Sequence, residues 1–436
     1  MNHQAKLRGL SRRDFLRLGG LGALALAGGG AVPALARAYT RPLAVASRPV
    51  GRSLQAPDTI PIHLAATDGH ISLPGRADPL YVFGFVNVPL NVLPNALDAF
   101  KGAVQFPAPI LGVDENDDVY LTLTNIGLVV RPDLDDSHTI HWHGFPNQNA
   151  IFDGVPEVSI SVPVGRGFPY FYRPRRAGSF MYHCHFEDVE HVQMGMQGSI
   201  FVRPSQNGTS IGGFNKFAYN DGDGSTGYHR EFAVHLDELW TTPHDNLEAI
   251  QETVWPDYKA DYWAINGRVY PDTLLPNNDP SLLAQPLSSL IQVEAGDRVL
   301  LRLSNLGYEQ QAMQLLGIPL KVVGEDATLL RNGSVDLSYL TNTVYIGPGE
   351  ARDALFTAPA FDSNHAQTDG QGRQYNAYWL WTRNFQRLTN GGPGGLGGMA
   401  TQVWVYPNGA IPDQAHPNET YPEFPPTPPY LNPWIF

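Results

Sequence analysis

The sequence predicts an all-β protein made of two tandem β-sandwiches of one design, and three observations carry that expectation. Short runs such as "DDVYLTLTN", "GSIFVRP", "REFAVHLDELW", "DRVLLRLSN" and "TQVWVYP" alternate apolar and polar residues with the period of two that strands require. Gly- and Pro-rich turns separate these runs, and no long helical periodicity competes with them. An internal repeat then divides the chain. "VDENDDVYLTLTNIG" (113–127) matches "VEAGDRVLLRLSNLG" (293–307) without gaps, and "GMQGSIFVRP" (195–204) matches "GMATQVWVYP" (398–407).

The chain opens with residues 1–38, where "SRRDFLRLGG" pairs Arg12 with Arg13 ahead of Phe15 and Leu16. A Gly/Ala-rich apolar run and A-x-A cleavage sites follow, the order of a twin-arginine export signal. That route predicts a folded protein delivered to the periplasm or secreted, with no membrane anchor. Residues 39–57 read as a short linker. The repeat then places one sandwich at 58–205 and its copy at 227–408, joined by the Gly/Ser/Asn-rich stretch 206–226. Residues 409–436 form a Pro-rich tail expected to lie extended along a surface, its own or a neighbour's.

The formal charge of −13 drops to about −18 once the leader, with six basic residues and one acid, is removed. Such acidity excludes nucleic acid and anionic lipid as partners and favours cations. The chain has a single cysteine, so no internal disulfide can form. In an oxidising compartment a lone thiol is buried, paired between chains, or held by a metal.

Cys184 lies in "MYHCHFEDVEHVQMGM" (181–196), between His183 and His185 and ahead of His191 and Met196. A thiolate, two imidazoles and a weak thioether are the donors of a blue mononuclear copper site. Cys184, His191 and Met196 supply three of them, and "HTIHWHGF" (138–145) offers His138 as the second imidazole. His141 and His143 alternate along one strand and so share a face; His183 and His185 do likewise around Cys184, which points the other way. One strand thus offers a thiolate on one side and imidazoles on the other, a short covalent path between two metal sites.

The spacing H-x-x-H-x-H-G followed by H-C-H, His and Met resembles the copper-rich domain of the multicopper oxidases, laccase-like enzymes of cupredoxin domains. The resemblance is specific over the first copy and one of fold over the second. It implies two cupredoxin-like Greek-key sandwiches, with His138, Cys184, His191 and Met196 holding a type 1 copper. It further implies His141 at a type 2 copper and His143, His183 and His185 at a type 3 pair. The family's cluster takes eight histidines from two facing domains, and here the second copy departs. Threaded on the first, it sets Gln311, Gln314 and Leu316 where His138, His141 and His143 stand, and Trp381, Thr382 and Arg383 at the other ligand positions.

The implied activity is one-electron oxidation of a phenolic, other small-molecule or metal-ion reductant, coupled to oxygen reduction, with Glu187, Asp188 and Glu190 available to relay protons or attract a cation. Two other readings stand beside it: a copper-binding electron carrier with an incomplete cluster, and an enzyme like copper nitrite reductase. The missing half-site implies a homo-oligomer, either a trimer or a dimer-based assembly.

Overall fold

A computed structural model describes residues 58–146, 149–391, 394–429 and 433–435. The leader and the 39–57 linker lie outside the described residues.

The first half consists of β1 (Thr59–Ile71), β2 (Leu80–Asn87), β3 (Ile110–Asp114), β4 (Asp118–Asn125), β5 (His141–His143), β6 (Arg166–Tyr172), β7 (Gly178–His183) and β8 (Gln197–Arg203). One sheet runs in the order β2-β1-β4-β6; the facing sheet runs from Trp434–Ile435 through β3, β8 and β7 to β5. The alternation read in β4 is realised: Val119, Leu121 and Leu123 point inward while Tyr120, Thr122 and Thr124 are half-exposed. They meet Tyr182, Ile200 and Val202 from the facing sheet in one buried core. Each aliphatic side chain so buried contributes about 1.5–3 kcal/mol.

The second half repeats these pairings in β9 (Arg230–Leu239), β10 (Tyr262–Ile265), β11 (Ile291–Glu294), β12 (Arg298–Asn305), β13 (Gln311–Leu315) and β14 (Leu320–Glu325), followed by further strands up to Ala400–Tyr406. The parallel pair β1/β4 recurs as β9/β12, and the parallel pair β3/β8 as β11 with Ala400–Tyr406. The antiparallel pair β5/β7, with His141 opposite His183, recurs as β13 with Gln374–Thr382, with Gln314 opposite Trp381. The chain is therefore all-β with two sandwiches of one topology, and the second sandwich carries its own core around Leu301, Leu303 and Val403.

Buried ionic and polar bonds join the halves. Arg302 donates to Glu231 at 2.8 Å and Arg203 to the same carboxylate at 3.1 Å. Ser179 of β7 donates to Asp353, and His235 of β9 bonds Ser199 of β8 at 3.1 Å. Burial opposes ionisation of Glu231, but the two guanidiniums more than offset it and hold the carboxyl down at about 2.

Three segments are more ordered than their composition suggests. The loop after Cys184 contains a helix, Asp188–Met194. The connection at 206–226 is tied by Asn207, which accepts from the Phe217 N–H, and by Asp221, which accepts from the N–H groups of Gly224 and Thr226. The tail lies on the chain's own surface: Asn418 bonds Ala233 and Asn277, and Trp434 pairs in parallel with Ile110.

His244 is fully buried, with Nδ1 bonded to the Tyr81 carbonyl at 2.6 Å. Burial pushes its pKa down to about 4. The unfolded chain, near 6.5, takes up a proton that the fold refuses, so this residue costs stability as pH falls from about 6.5 to 4. At pH 4 the cost is about 3 kcal/mol. His244→Asn should lose less stability than the parent between pH 7 and 4 by about that amount, as read from urea midpoints; parallel pH profiles would refute it.

Candidate metal centre

Two clusters of ligand atoms form on opposite sides of one chain segment. Cys184 follows the last residue of β7 and points into the first core, where it is wholly buried with Met194 and Met196. Its Sγ lies 3.4 Å from His191 Nδ1 and 4.0 Å from His138 Nδ1. Cys184, His138 and His191 are each no more than 1% exposed. The helix Asp188–Met194 swings His191 back over the sulfur, and Gly195, at φ 117°, ends it. Any side chain there would strike Phe106, since a Cβ would sit 2.4 Å from its ring. Two backbone bonds, Cys184 N–H to Met196 O at 3.0 Å and Met196 N–H to His191 O at 2.9 Å, lock the three residues together.

Charge in this pocket is balanced by proximity. Burial disfavours a charged His191, but the adjacent Cys184 and then Asp136 overcome it, and the imidazole is pushed up to about 10. Burial and the neighbouring His191 hold His138 well below its ordinary value. The Thr139 N–H approaches Sγ at 3.4 Å, and the Thr139 hydroxyl accepts from the His185 N–H at 2.9 Å. A buried sulfur beside two imidazole nitrogens offers the donor types of a mononuclear copper site.

On the other face, His141, His143 and His183 bring ring nitrogens within 4.8 Å of one another. Their outer partners are carbonyls, which can only accept, and this decides the tautomers. His141 Nδ1 donates to Asp153 O at 2.7 Å, His183 Nδ1 to Cys184 O at 2.8 Å, and His143 Nε2 to Gly349 O at 2.9 Å. The inner nitrogens therefore carry lone pairs, and two of them, His143 Nδ1 and His183 Nε2, face each other at 3.2 Å. Lone pairs so placed converge where a metal cation would be held. Burial is the main cause holding all three imidazoles below their ordinary pKa, His183 at about 3, so the neutral form that ligates a metal prevails. His185 joins through ring contacts with His141 at 5.1 Å and His183 at 5.6 Å; it is half-buried, and its Nδ1 lies 4.0 Å from Asp188.

Sequence reasoning missed Asp136, Asp153 and Gly349. Asp136 stands two residues before His138, a spacing that could have flagged it. Gly349 acts on His143 through its backbone carbonyl, which leaves no trace in residue type, whereas Asp153 meets His141 with its carbonyl and, at 3.3 Å, with its carboxylate. At the positions matching the histidines, the second half offers Gln311, buried and bonded to Glu238 and Arg387, and Gln314. The remaining acids divide. Glu187 and Asp188 are exposed, whereas Glu190 is half-buried beside His191 and Asp136.

Residues 99–207 and 230–380 each match a sequence profile described as "Multicopper oxidase". Laccase-5 of Arabidopsis thaliana is 26% identical over 290 residues, covering 65% of this chain and 41% of that protein. The chain thus spans less than half the length of the curated relatives it matches. Among solved structures, the Blue Copper Oxidase from Nitrosomonas europaea aligns over 80% of this chain and 86% of its own, with 22% identity and a TM-score of 0.56. Copper nitrite reductase from the same organism covers 83% and 99%, with 17% identity and a TM-score of 0.57. These two likenesses establish the fold.

Gly349 links the second half to the histidine face. It sits at φ +74°, and a Cβ there would lie 3.0 Å from His143 Nε2. Gly349→Ala should cost about 1–2 kcal/mol of stability and reduce the metal held by the histidine cluster. Gln314→Ala should leave metal content unaltered. Metal-to-protein ratios by plasma mass spectrometry, with urea midpoints, check both; metal loss in Gln314→Ala would mean the two halves are wrongly matched.

Proposed function

The chain belongs to the multicopper oxidase family, and from that premise we propose that it is a copper-dependent oxidoreductase that oxidises a reductant one electron at a time and passes the electrons to oxygen. The observation that carries this reading is the strand end at Cys184, where a buried thiol faces one cluster of imidazoles and its two neighbours face another.

The donor set fits. His138 Nδ1, Cys184 Sγ and His191 Nδ1, with the Met196 thioether, would hold a type 1 copper. His141, His143, His183 and His185 would hold type 2 and type 3 copper. Bound at these positions, copper would supply one-electron exchange at the thiolate and oxygen reduction at the histidine face. The protein's part is to orient and insulate. Carbonyls of Asp153, Cys184 and Gly349 fix the tautomers, and the apolar core keeps water from Cys184. The Cys184 backbone links the thiolate to His183 and His185 with no intervening residue.

Four histidines are half of the eight that the family's cluster takes, so a second chain completes the site in this reading. An isologous pair of first halves would supply four and four, with two copies of His141 on the axis; a trimer is the other closed arrangement. A carrier that holds only the type 1 copper is the second reading, favoured by the absence of ligands at Gln311, Gln314 and Trp381. Export by the twin-arginine route would deliver the folded protein to the periplasm or beyond. Among the described residues no helix is long and apolar enough to cross a membrane.

Cys184→Ser should abolish an intense absorption near roughly 600 nm that marks thiolate-bound copper; a blue colour that survives would sink the assignment. Sedimentation mass with copper counts sorts the assemblies. More than one copper per chain with oxygen uptake supports the oxidase, two in a trimer points to a nitrite-reductase-like design, and one without oxygen uptake to the carrier.

A further inference from the structure

The segment that returns to the first sheet carries a further set of ligand atoms. A His416 nitrogen and one oxygen each from Glu419 and Glu423 lie within 4.8 Å of one another. The backbone between them is pinned to the second half: Asn418 accepts from the Ala233 N–H at 2.7 Å, and the Tyr421 N–H donates to Gln292 at 2.7 Å. The polar atoms do not satisfy one another. His416 Nδ1 donates to the Pro417 carbonyl at 3.3 Å, which leaves a lone pair on Nε2 of the neutral ring. That lone pair faces Glu423 Oε2 at 3.7 Å, an acceptor set against an acceptor and too far for a hydrogen bond. The other Glu423 oxygen is buried with no hydrogen-bond partner among the described residues. The His416 and Glu423 side chains are only 23% and 21% exposed, so water does not freely serve them. Trp434 stacks on the imidazole at 3.9 Å between ring centres and fixes its direction, and the Ala415 N–H holds Glu419 at 2.6 Å.

We propose that His416, Glu419 and Glu423 bind a divalent transition-metal ion of the zinc kind, and that this ion staples the 409–436 segment in place. The site uses none of the candidate copper ligands and stands apart from the copper reading. An imidazole with two carboxylates mixes a nitrogen with oxygens, donor types that zinc accepts together, whereas calcium and magnesium take oxygen. Two donors about 2.1 Å from one tetrahedral ion stand roughly 3.4 Å apart, close to the separation of Nε2 from Oε2 at 3.7 Å.

The effect follows from what the ion fixes. The ring it holds is the one on which Trp434 stacks, and the strand Trp434–Ile435 pairs with β3 in the sheet that ends at β7 and β5. The three ligands converge only in the folded chain, so binding energy at this site is folding energy. The ion therefore tightens the grip of that strand on β3.

Zinc binding is read on the copper-loaded protein by titration with Zn²⁺ and a count of the metal retained. The parent should hold one zinc per chain more than Glu419→Gln or Glu423→Gln, each of which weakens that binding at least tenfold, with copper content the same in all three. Zinc should also slow amide exchange in a peptide containing Trp434 at least tenfold in the parent and leave it unaltered in both variants. Equal copper shows that the variants are folded, and the exchange measurement on the parent stands without them. Equal zinc counts in parent and variants, copper loss in both variants, or no zinc-dependent protection in the parent would overturn the proposal. Calcium or magnesium bound as tightly as zinc would overturn the choice of metal.

Discussion

The pairing of His141 opposite His183 is the constraint on which both clusters of candidate ligands depend. Side chains alternate along a strand, so this one register puts four imidazoles on one face and leaves Cys184 no choice but the other. A slip of one residue would bury a histidine where the sulfur belongs and push the thiol into a polar cleft. The large apolar neighbours make such a slip costly: Trp142 and Tyr182, directly opposite each other, are both fully buried.

The second half keeps that ladder with other side chains. Gln314 opposes Trp381 where His141 opposes His183, so the backbone geometry survives without its ligands. What the second half contributes is support. It lends the Gly349 carbonyl to His143 and anchors the first half through Glu231, Arg302 and Asp353. Removing one partner from such a buried ionic set is expensive, because the other is left charged and dry. The halves are therefore held in one relative position, which a carbonyl aimed at a ring nitrogen needs.

Much of this was legible in the sequence. Period-two alternation gave β4 and β12, the gapless repeat gave their common topology, and the spacing of His138, His141, His143, His183, Cys184 and His191 gave side chains that converge in two clusters. The helix Asp188–Met194 was not, because seven residues are too few to display a helical period against strands on both sides. The ordered connection through Asn207 and Asp221 was hidden too. Its Gly and Asn content, which reads as a flexible joint, here serves tight turns closed by side-chain oxygens. Gly349 was beyond reach, since any residue can offer a carbonyl and only the fold decides which one does.

The return of Trp434 to the first sheet has a consequence for the order of assembly. The strand Trp434–Ile435 pairs with β3 beside Ile110, and Trp434 stacks on His416 at 3.9 Å. The sheet that carries Cys184 is thus edged by residues that follow the whole second half in sequence, which a ribosome makes after it. Until they arrive, β3 exposes an unpaired edge open to pairing with other chains. Closing it requires a contact of very long sequence separation, the slowest kind to form. Completion of the thiol-bearing sheet therefore waits on synthesis of the second half, so this segment works as a latch that ties maturation of the first half to the presence of the second.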